Sequence, residues 1–133
     1  SHGFPNLFVM PAPGQQAVVT VNYTQLAVLG AQFVGRTIGH LRSEGVTVFD
    51  VSAEAEEEWT EKIVSSFVDA SSVMAACTPS RINLEGHPEA MNPRNGNYGR
   101  GLGDYFGYRR LLEEWLDAGE CAGLELERRA DAG

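Results

Sequence analysis

The stretch Gly3-Phe-Pro-Asn-Leu-Phe-Val-Met10 is where the interpretation of this sequence begins. Residues 3–6 have the composition of a turn, and residues 7–10 form a continuous apolar run typical of a strand buried on both faces. Such a strand needs a neighbour on each side, yet the chain offers only two other short strand candidates, Val46–Val51 and residues 124–126. We therefore expect residues 7–10 to join a sheet that lies outside this chain, and the chain to be one part of a larger protein.

Composition and charge restrict the classes of partner. The chain has 133 residues, of which 43% are hydrophobic, and a formal net charge of −8. This length suits one globular domain with a core of its own. Nucleic acids are bound by clustered Lys and Arg, and anionic membranes attract basic segments, so the acidic balance disfavours both partners. No apolar run approaches the length of a membrane span.

Two cysteines, Cys77 and Cys121, are too few for a disulfide framework, and no metal-ligand spacing surrounds them. Free thiols fit a reducing compartment, and the first residues lack the charged and apolar regions of a signal peptide. We therefore predict a cytoplasmic protein without a metal site.

Three main helices are predicted from apolar residues at helical spacing. The first begins at an Asn22 cap and stops at Gly45, and its small residues Ala31, Gly35 and Gly39 predict close packing of another element.

The other two helices follow polar caps. Ser52 comes directly after the strand candidate Val46–Val51 and caps a helix whose first turn is acidic, while Asp104 caps a helix that stops at Gly119. The fold class is therefore α+β and predominantly helical, with a few short strands. We place the folded part at residues 1–126 and a disordered tail at residues 127–133.

A long stretch between Cys77 and Gly103 has no periodic pattern and is rich in Gly, Pro and Asn. Loops of this length are uncommon in compact domains unless they are functional or disordered. Its arginines outnumber its acidic residues, which fits either contact with an anionic ligand or ordinary surface charge.

No complete set of catalytic residues is present. The chain has neither a G-x-S-x-G turn nor a phosphate-binding P-loop, and its three histidines are scattered. Residues 99–104 superficially match a dinucleotide loop, but the third glycine would fall on Asp104 and no strand precedes the match.

Several motifs in order resemble the C-terminal segment of flavin-dependent monooxygenases of the Baeyer–Villiger type. Gly-Phe-Pro-Asn-Leu-Phe at residues 3–8 is similar to that family's G-F-P-N-L-F segment, and Pro-Gly-Gln-Gln at residues 13–16 resembles its loop before a long helix. Residues 56–59 resemble its E-x-x-W helix start. Residues 77–86 resemble its C-T-P-G-Y-Y-N-N-E-G loop, and residues 123–126 its closing pattern. The similarity covers nearly the whole chain.

The resemblance implies an enzyme that binds FAD and NADPH, forms a flavin peroxide with O2, and inserts one oxygen atom next to a ketone or oxygenates a heteroatom. The family's two G-x-G-x-x-G fingerprints and its active-site arginine lie upstream of the G-F-P-N segment and are not in this chain. We therefore expect the upstream FAD- and NADP-binding domains as partners in the same parent chain. The isolated fragment is expected to be inactive and to bind no cofactor.

The resemblance also assigns roles to individual residues, with no catalytic residue among them. The flavin-side positions are Pro13, Gly14, Gln15, Gln16 and Asn22. Backbone N–H groups and a helix N-terminus at these positions would favour the negative charge of reduced flavin.

The loop at residues 77–86 is expected to close over NADPH and substrate. Its contacting positions are Thr78, Ser80, Arg81 and Asn83. The chain departs from the family's pattern at residues 80–82, where Ser-Arg-Ile replaces Gly-Tyr-Tyr.

An alternative interpretation is a non-enzymatic helical module. An exposed edge at residues 7–10, or the glycine-rich face of the first helix, would then let two copies of the chain associate as a homodimer.

Overall fold

The computed structural model describes residues 1–10, 22–67, 69, 71–96, 98–99 and 104–129. Within these residues the chain forms helices and a two-stranded antiparallel sheet, which confirms the predominantly helical fold class. In chain order the elements are α1 (Tyr23–Ser43), β1 (Val46–Val51), α2 (Ala53–Ser66), α3 (Ser71–Ala75), α4 (Tyr105–Ala118) and β2 (Leu124–Arg128). Three 3₁₀ turns separate α3 from α4, at Arg81–Gly86, Pro88–Ala90 and Pro93–Asn95.

The predicted helix caps are confirmed. The side chain of Ser52 accepts the Ala55 N–H at the start of α2 (3.1 Å). That of Asp104 accepts the Gly107 N–H at the start of α4 (2.9 Å). Helix α4 ends at a left-handed Gly119, with φ 68°. These polar side chains satisfy N–H groups that have no partner inside the helix.

The sheet joins distant parts of the chain. Strand β1 pairs with β2 from Val51 opposite Leu124 to Val46 opposite Arg128, and a register shift leaves Thr47 as a bulge. Because β2 continues to Arg128, the predicted tail boundary after residue 126 is wrong. The physical reason is that Glu127 and Arg128 still have strand partners in β1, although their side chains are exposed. Residues 130–133 of the predicted tail lie outside the described residues.

One core lies where α1, the sheet and the turn after α4 meet. Leu41, Val46 and Cys121 are buried there. Four partly buried side chains pack around them: Phe49, Trp115, Leu124 and Leu126. The Trp115 indole also donates to the Ala122 carbonyl (2.9 Å), so the ring fixes the turn between α4 and β2.

A cluster of three aromatic rings holds the segment around Tyr98 against helices α2 and α4. Trp59 of α2 stacks on Tyr98 of the loop, with centroids 5.5 Å apart, and Tyr108 of α4 lies 5.8 Å from Tyr98. Burial raises the pKa of the Tyr108 phenol. The cluster therefore ties the end of the loop to both α2 and α4.

Residues 7–10 do not form the predicted strand. They have no regular secondary structure, and Leu7 and Val9 keep 46% and 73% of their surface exposed. Within this chain the run is irregular because a strand forms only where backbone partners exist, and its pairing with a sheet outside the chain stays a prediction. The segment meets β1 through backbone and side-chain bonds of Asn6 and through the Phe8 ring, whose centroid lies 5.2 Å from that of Phe49.

The small-residue face of α1 has no close neighbour among the described residues. A Cβ built at Gly35 or at Gly39 would meet no atom within 4 Å. The element predicted to pack closely there is thus absent from the described part of the chain. No helix in that part is long and apolar enough to cross a membrane.

Candidate functional site

The N-terminal segment docks on the outer edge of β1, where Asn6 makes three hydrogen bonds. Asn6 donates its backbone N–H to the Phe49 carbonyl (2.9 Å), and its Oδ1 accepts the Phe49 N–H (3.1 Å). Its Nδ2 donates to the carbonyl of the bulged Thr47 (3.4 Å). Asn6 has φ 60°, a left-handed conformation that Asn adopts more readily than most residues. The Gly-Phe-Pro-Asn motif is therefore a turn that pairs with β1.

Helix α1 carries the predicted flavin-side residues at its start. Asn22 is exposed, and its Oδ1 accepts the Thr24 N–H (2.8 Å). No acidic side chain lies in the first turn, so no carboxylate of that turn neutralises the positive end of the helix dipole. Pro13, Gly14, Gln15 and Gln16 lie outside the described residues, and their flavin-side role stays a prediction.

The chain that leads into those residues also contacts α1. Met10 packs over Gly30, since a Cβ at that glycine would lie 2.7 Å from the Met10 Cε atom. Met10 and Asn22 therefore both lie on the N-terminal half of α1.

Asn83 organises the segment at residues 74–86, which we call the Asn83 loop. Its side chain is buried, with 2% of the residue exposed. The Oδ1 atom accepts the N–H groups of Ser80 (2.7 Å) and Gly86 (3.3 Å). The Nδ2 group donates to the carbonyls of Met74 and Thr78, at 3.2 Å each. The Asn83 amide is thus fully used by the backbone of its own loop.

The loop then turns through left-handed backbone. Leu84, Glu85 and Gly86 have φ values of 51°, 57° and 95°. A branched apolar residue such as Leu84 is unfavourable in this region, and the family pattern has Asn at that position. Pro79 packs over Gly86, with its Cγ 3.4 Å from where a Cβ would lie.

The loop's other predicted contact residues are placed as follows. Thr78 and Ser80 are exposed. Arg81 opens the first 3₁₀ turn, and its side chain lies outside what the structure describes. Asn83 and these three residues belong to one loop, but the structure gives no described contact between that loop and Asn22.

A groove of about 400 Å³ lies between the N-terminal halves of α1 and α4. Sequence reasoning missed it. Its polar wall on α4 is formed by Tyr105, Arg109 and Glu113, which are four residues apart, and Arg109 Nε lies 2.8 Å from Glu113 Oε1. The sequence signal for this wall was the spacing of four residues, which places the three side chains on one face of a helix. The α1 wall consists of Thr24, Gln25, Val28, Leu29 and Gln32.

These features do not form a catalytic centre. In the described ranges no group of three or more His, Cys, Asp or Glu side chains could hold a metal ion. The titratable side chains whose pKa is raised by burial are Tyr108 and Cys121. The aromatic cluster holds the first, and the core holds the second. The described residues therefore provide surfaces and loops for a site rather than a set of reacting groups.

Comparison with known proteins gives consistent relatives. No protein-family model matches the sequence. Pentalenolactone D synthase of Streptomyces arenae is 32% identical over 129 residues, which are 94% of this chain and 20% of the relative. The FAD-binding monooxygenase hmp7 of Hypomyces subiculosus is 29% identical over 93% of the chain, again 20% of the relative. Baeyer–Villiger monooxygenase 4 of Dietzia sp. is 30% identical over 99% of the chain and 21% of the relative.

Solved structures agree with the fold. The polycyclic ketone monooxygenase of Thermothelomyces thermophila superposes with a TM-score of 0.75 at 29% identity, covering 98% of this chain and 20% of that protein. An oxidised steroid monooxygenase with bound NADP matches with a TM-score of 0.66 at 20% identity, over 97% of this chain and 22% of that protein. The second likeness shows the fold alone.

The chain spans about a fifth of the length of the relatives it matches. The identity runs along nearly the whole chain, and the order of helices and strands follows theirs. The chain is therefore homologous to the C-terminal segment of flavin-dependent monooxygenases, Baeyer–Villiger enzymes among them.

Proposed function

We propose that this chain is the C-terminal part of an FAD- and NADPH-dependent monooxygenase that inserts one atom of O2 next to a ketone or oxygenates a heteroatom. The observation that carries the proposal is about 30% identity along nearly the whole chain to proteins named as FAD-binding and Baeyer–Villiger monooxygenases. When bound, FAD would pass electrons from NADPH to O2, whose second oxygen atom leaves as water.

The start of α1 fits the negative edge of a reduced flavin. Asn22 caps the helix, the first turn carries no carboxylate, and the dipole end therefore favours an anion. In the proposed enzyme Asn22 lies beside the flavin, together with Pro13, Gly14, Gln15 and Gln16.

The Asn83 loop is proposed to cover NADPH and substrate. Its exposed Thr78 and Ser80 are available for contact, and Arg81 is proposed as a third contact. Asn83 was also predicted to touch the ligand, and that role stays a prediction. In the described conformation its bonds to Ser80 and Thr78 hold those two residues in position.

The experiment compares a protein that carries these residues behind FAD- and NADP-binding domains with the same protein lacking them. The complete protein should show oxidised-flavin absorbance, consume NADPH in the presence of a ketone, and form a product heavier by one oxygen that takes label from ¹⁸O2. The isolated chain should do none of this. Tight, stoichiometric FAD binding by the isolated chain would overturn the claim that it is incomplete.

The loop is tested in that protein by Thr78→Ala and Ser80→Ala, with Ser72→Ala on the exposed surface of α3 as the matched control. The two loop variants should raise the KM for NADPH or ketone several-fold, and the control should not. Unchanged KM values in both loop variants would remove Thr78 and Ser80 from the proposed site.

Self-association of a non-enzymatic module is the second candidate. It is favoured by the exposed Leu7 and Val9 and by the open face at Gly35 and Gly39. Sedimentation of the isolated chain at several concentrations tests this candidate, because the module requires a stable dimer and a monomer would exclude it. A cytoplasmic location also stays a prediction, based on the two free cysteines.

A further inference from the structure

A second cavity lies between the C-terminal half of α1 and the end of α4, away from the Asn83 loop. Its volume is about 210 Å³. Its lining consists of Arg36, Thr37, His40, Trp115, Leu116, Gly119 and Cys121.

Thr37 is the unusual member of this lining. Only 2% of the residue is exposed, and its Oγ1 is buried without a hydrogen-bond partner among the described residues. Thr60 of α2 shows the usual solution in a helix, since its hydroxyl donates to the Glu56 carbonyl one turn back (2.8 Å). Thr37 does not make the equivalent bond to Phe33. Buried hydroxyls nearly always have a partner, because an unpaired one loses its bonds to water without replacement.

The rest of the lining supplies further hydrogen-bonding groups. The Gly119 carbonyl lies 2.9 Å from His40 Nε2 and has a second lone pair. One Arg36 nitrogen donates to Asp117 Oδ1 (3.0 Å), which leaves other donors of the guanidinium. The Cys121 thiol is a weak donor, and its burial raises its pKa, so it is protonated at neutral pH.

The volume decides what this site can hold. It exceeds the roughly 30 Å³ that one water molecule occupies in the liquid. It falls below the roughly 300–1,000 Å³ of pockets that hold metabolites or drug-sized ligands. A dry cavity would require an apolar lining, and Thr37, Arg36 and the Gly119 carbonyl are polar.

We propose that this cavity, between the C-terminal half of α1 and the end of α4, is a hydration site. Ordered water in it accepts or donates a hydrogen bond at Thr37 Oγ1 and links α1 to the Gly119 turn. The water adds to a row of polar contacts between α1 and the end of α4, which already includes the Arg36–Asp117 and His40–Gly119 contacts. This inference does not depend on the proposed function.

The test is a crystal structure of the protein at a resolution that orders water, together with two variants. An ordered water within hydrogen-bond distance of Thr37 Oγ1 is expected. Thr37→Val should lose that water and lower the Tm by roughly 2–5 °C, whereas Thr37→Ser should keep it. Thr60→Val, which removes a hydroxyl bonded to backbone, should leave the cavity water in place.

Two results would overturn the proposal. One is a Thr37 hydroxyl bonded to the Phe33 carbonyl with no water in the cavity. The other is a Thr37→Val variant whose Tm equals or exceeds that of the parent, because an isosteric Val would then relieve an unpaired hydroxyl. If Thr37→Val does not fold, the Thr37→Ser structure decides by the presence or absence of water at the remaining hydroxyl.

Discussion

The Asn83 loop and the N-terminal segment at residues 1–10 are both irregular, but they are held in opposite ways. In the loop, one buried amide binds backbone groups on both sides of itself, so the loop satisfies its own polar groups. In the N-terminal segment, Asn6 bonds to another element, β1, and the apolar side chains of Leu7 and Val9 remain exposed.

The two regions therefore differ in what each would present to a ligand or to another domain. The Asn83 loop can keep its shape without further partners, and a ligand would meet a preformed surface. The N-terminal segment is anchored at its turn. Burial would stabilise its exposed apolar side chains, which are free to pack on another part of a longer protein. We expect substitutions in the two regions to act accordingly.

The largest effect is expected from Asn83→Ala. It leaves the Ser80 and Gly86 N–H groups and the Met74 and Thr78 carbonyls without their partner, so the free energy of unfolding should fall by about 2–3 kcal/mol. Chemical denaturation measures this. Asn92→Ala is the control, because Asn92 is exposed and accepts only the Arg94 N–H (3.0 Å). Equal losses in both variants would mean that Asn83 does not organise the loop.

Asn6→Ala should cost less and act locally. It removes two side-chain bonds to β1 and places Ala at a left-handed φ, which together should cost about 1–2 kcal/mol. Hydrogen exchange at the Phe49 amide should accelerate, while exchange in the Asn83 loop should not change. Asn6→Gly removes the same bonds but tolerates φ 60°, so its loss relative to the parent isolates the side-chain bonds, and the difference between the two variants measures the backbone strain.

Gly35→Ala tests whether α1 is covered by another element. The new methyl meets no atom of the described residues, so the higher helix propensity of Ala should raise the free energy of unfolding by about 0.5–1 kcal/mol. In a longer protein whose other domains pack on this face, the same change should lower stability. Stabilisation in both contexts would show that the face of α1 stays open.

Leu84→Asn should give a small gain. Asn tolerates φ 51° better than Leu, so thermal unfolding should show a stabilisation of about 0.5–1 kcal/mol. Glu113→Asn on α4 is a suitable control, since the same new residue there meets ordinary helical backbone and should not stabilise. A loss of stability in Leu84→Asn would show that the apolar side chain of Leu84 matters more than its backbone.

The smallest effect concerns pH at the N-terminal turn. The bond between His2 Nδ1 and the Val51 carbonyl (2.8 Å), with a smaller contribution from Asp50, raises the pKa of His2 above 6.5. The protonated form is favoured in the folded state. The contribution of His2 protonation to the free energy of unfolding is therefore fully present below pH 6.5 and is lost as the pH rises through the folded-state pKa. Titration of His2 by NMR checks the direction, and a His2→Gln variant should lose the pH dependence of exchange at nearby amides.

Much of the fold could be predicted because its boundaries depend on local chemistry. Asn22, Ser52 and Asp104 cap helices whatever surrounds them, and the β-branched residues of Val46–Val51 favour a strand. Helix α3 was missed because five residues are too few for a periodic pattern. The expected partner sheet of residues 7–10 lies outside this chain and stays a prediction, because an apolar run indicates a strand but not where its partner is.

The candidate site was less predictable for the same reason. The resemblance pointed to Asn83, but the sequence alone could not show that its amide faces inward onto its own loop rather than toward a ligand. Nor could it show that Thr37 and Gly119 line one cavity, because that depends on how α1 packs against α4.

The pairing of β1 with β2 has a consequence for how the chain folds. Helices α2 to α4 and the three described 3₁₀ turns lie between the two strands. Pairing therefore requires closure of a loop of roughly 70 residues, whose entropy is lost before the strand bonds form. We expect the sheet to assemble late, after the helices. A single break in the backbone between the strands would leave two pieces that the sheet still holds together.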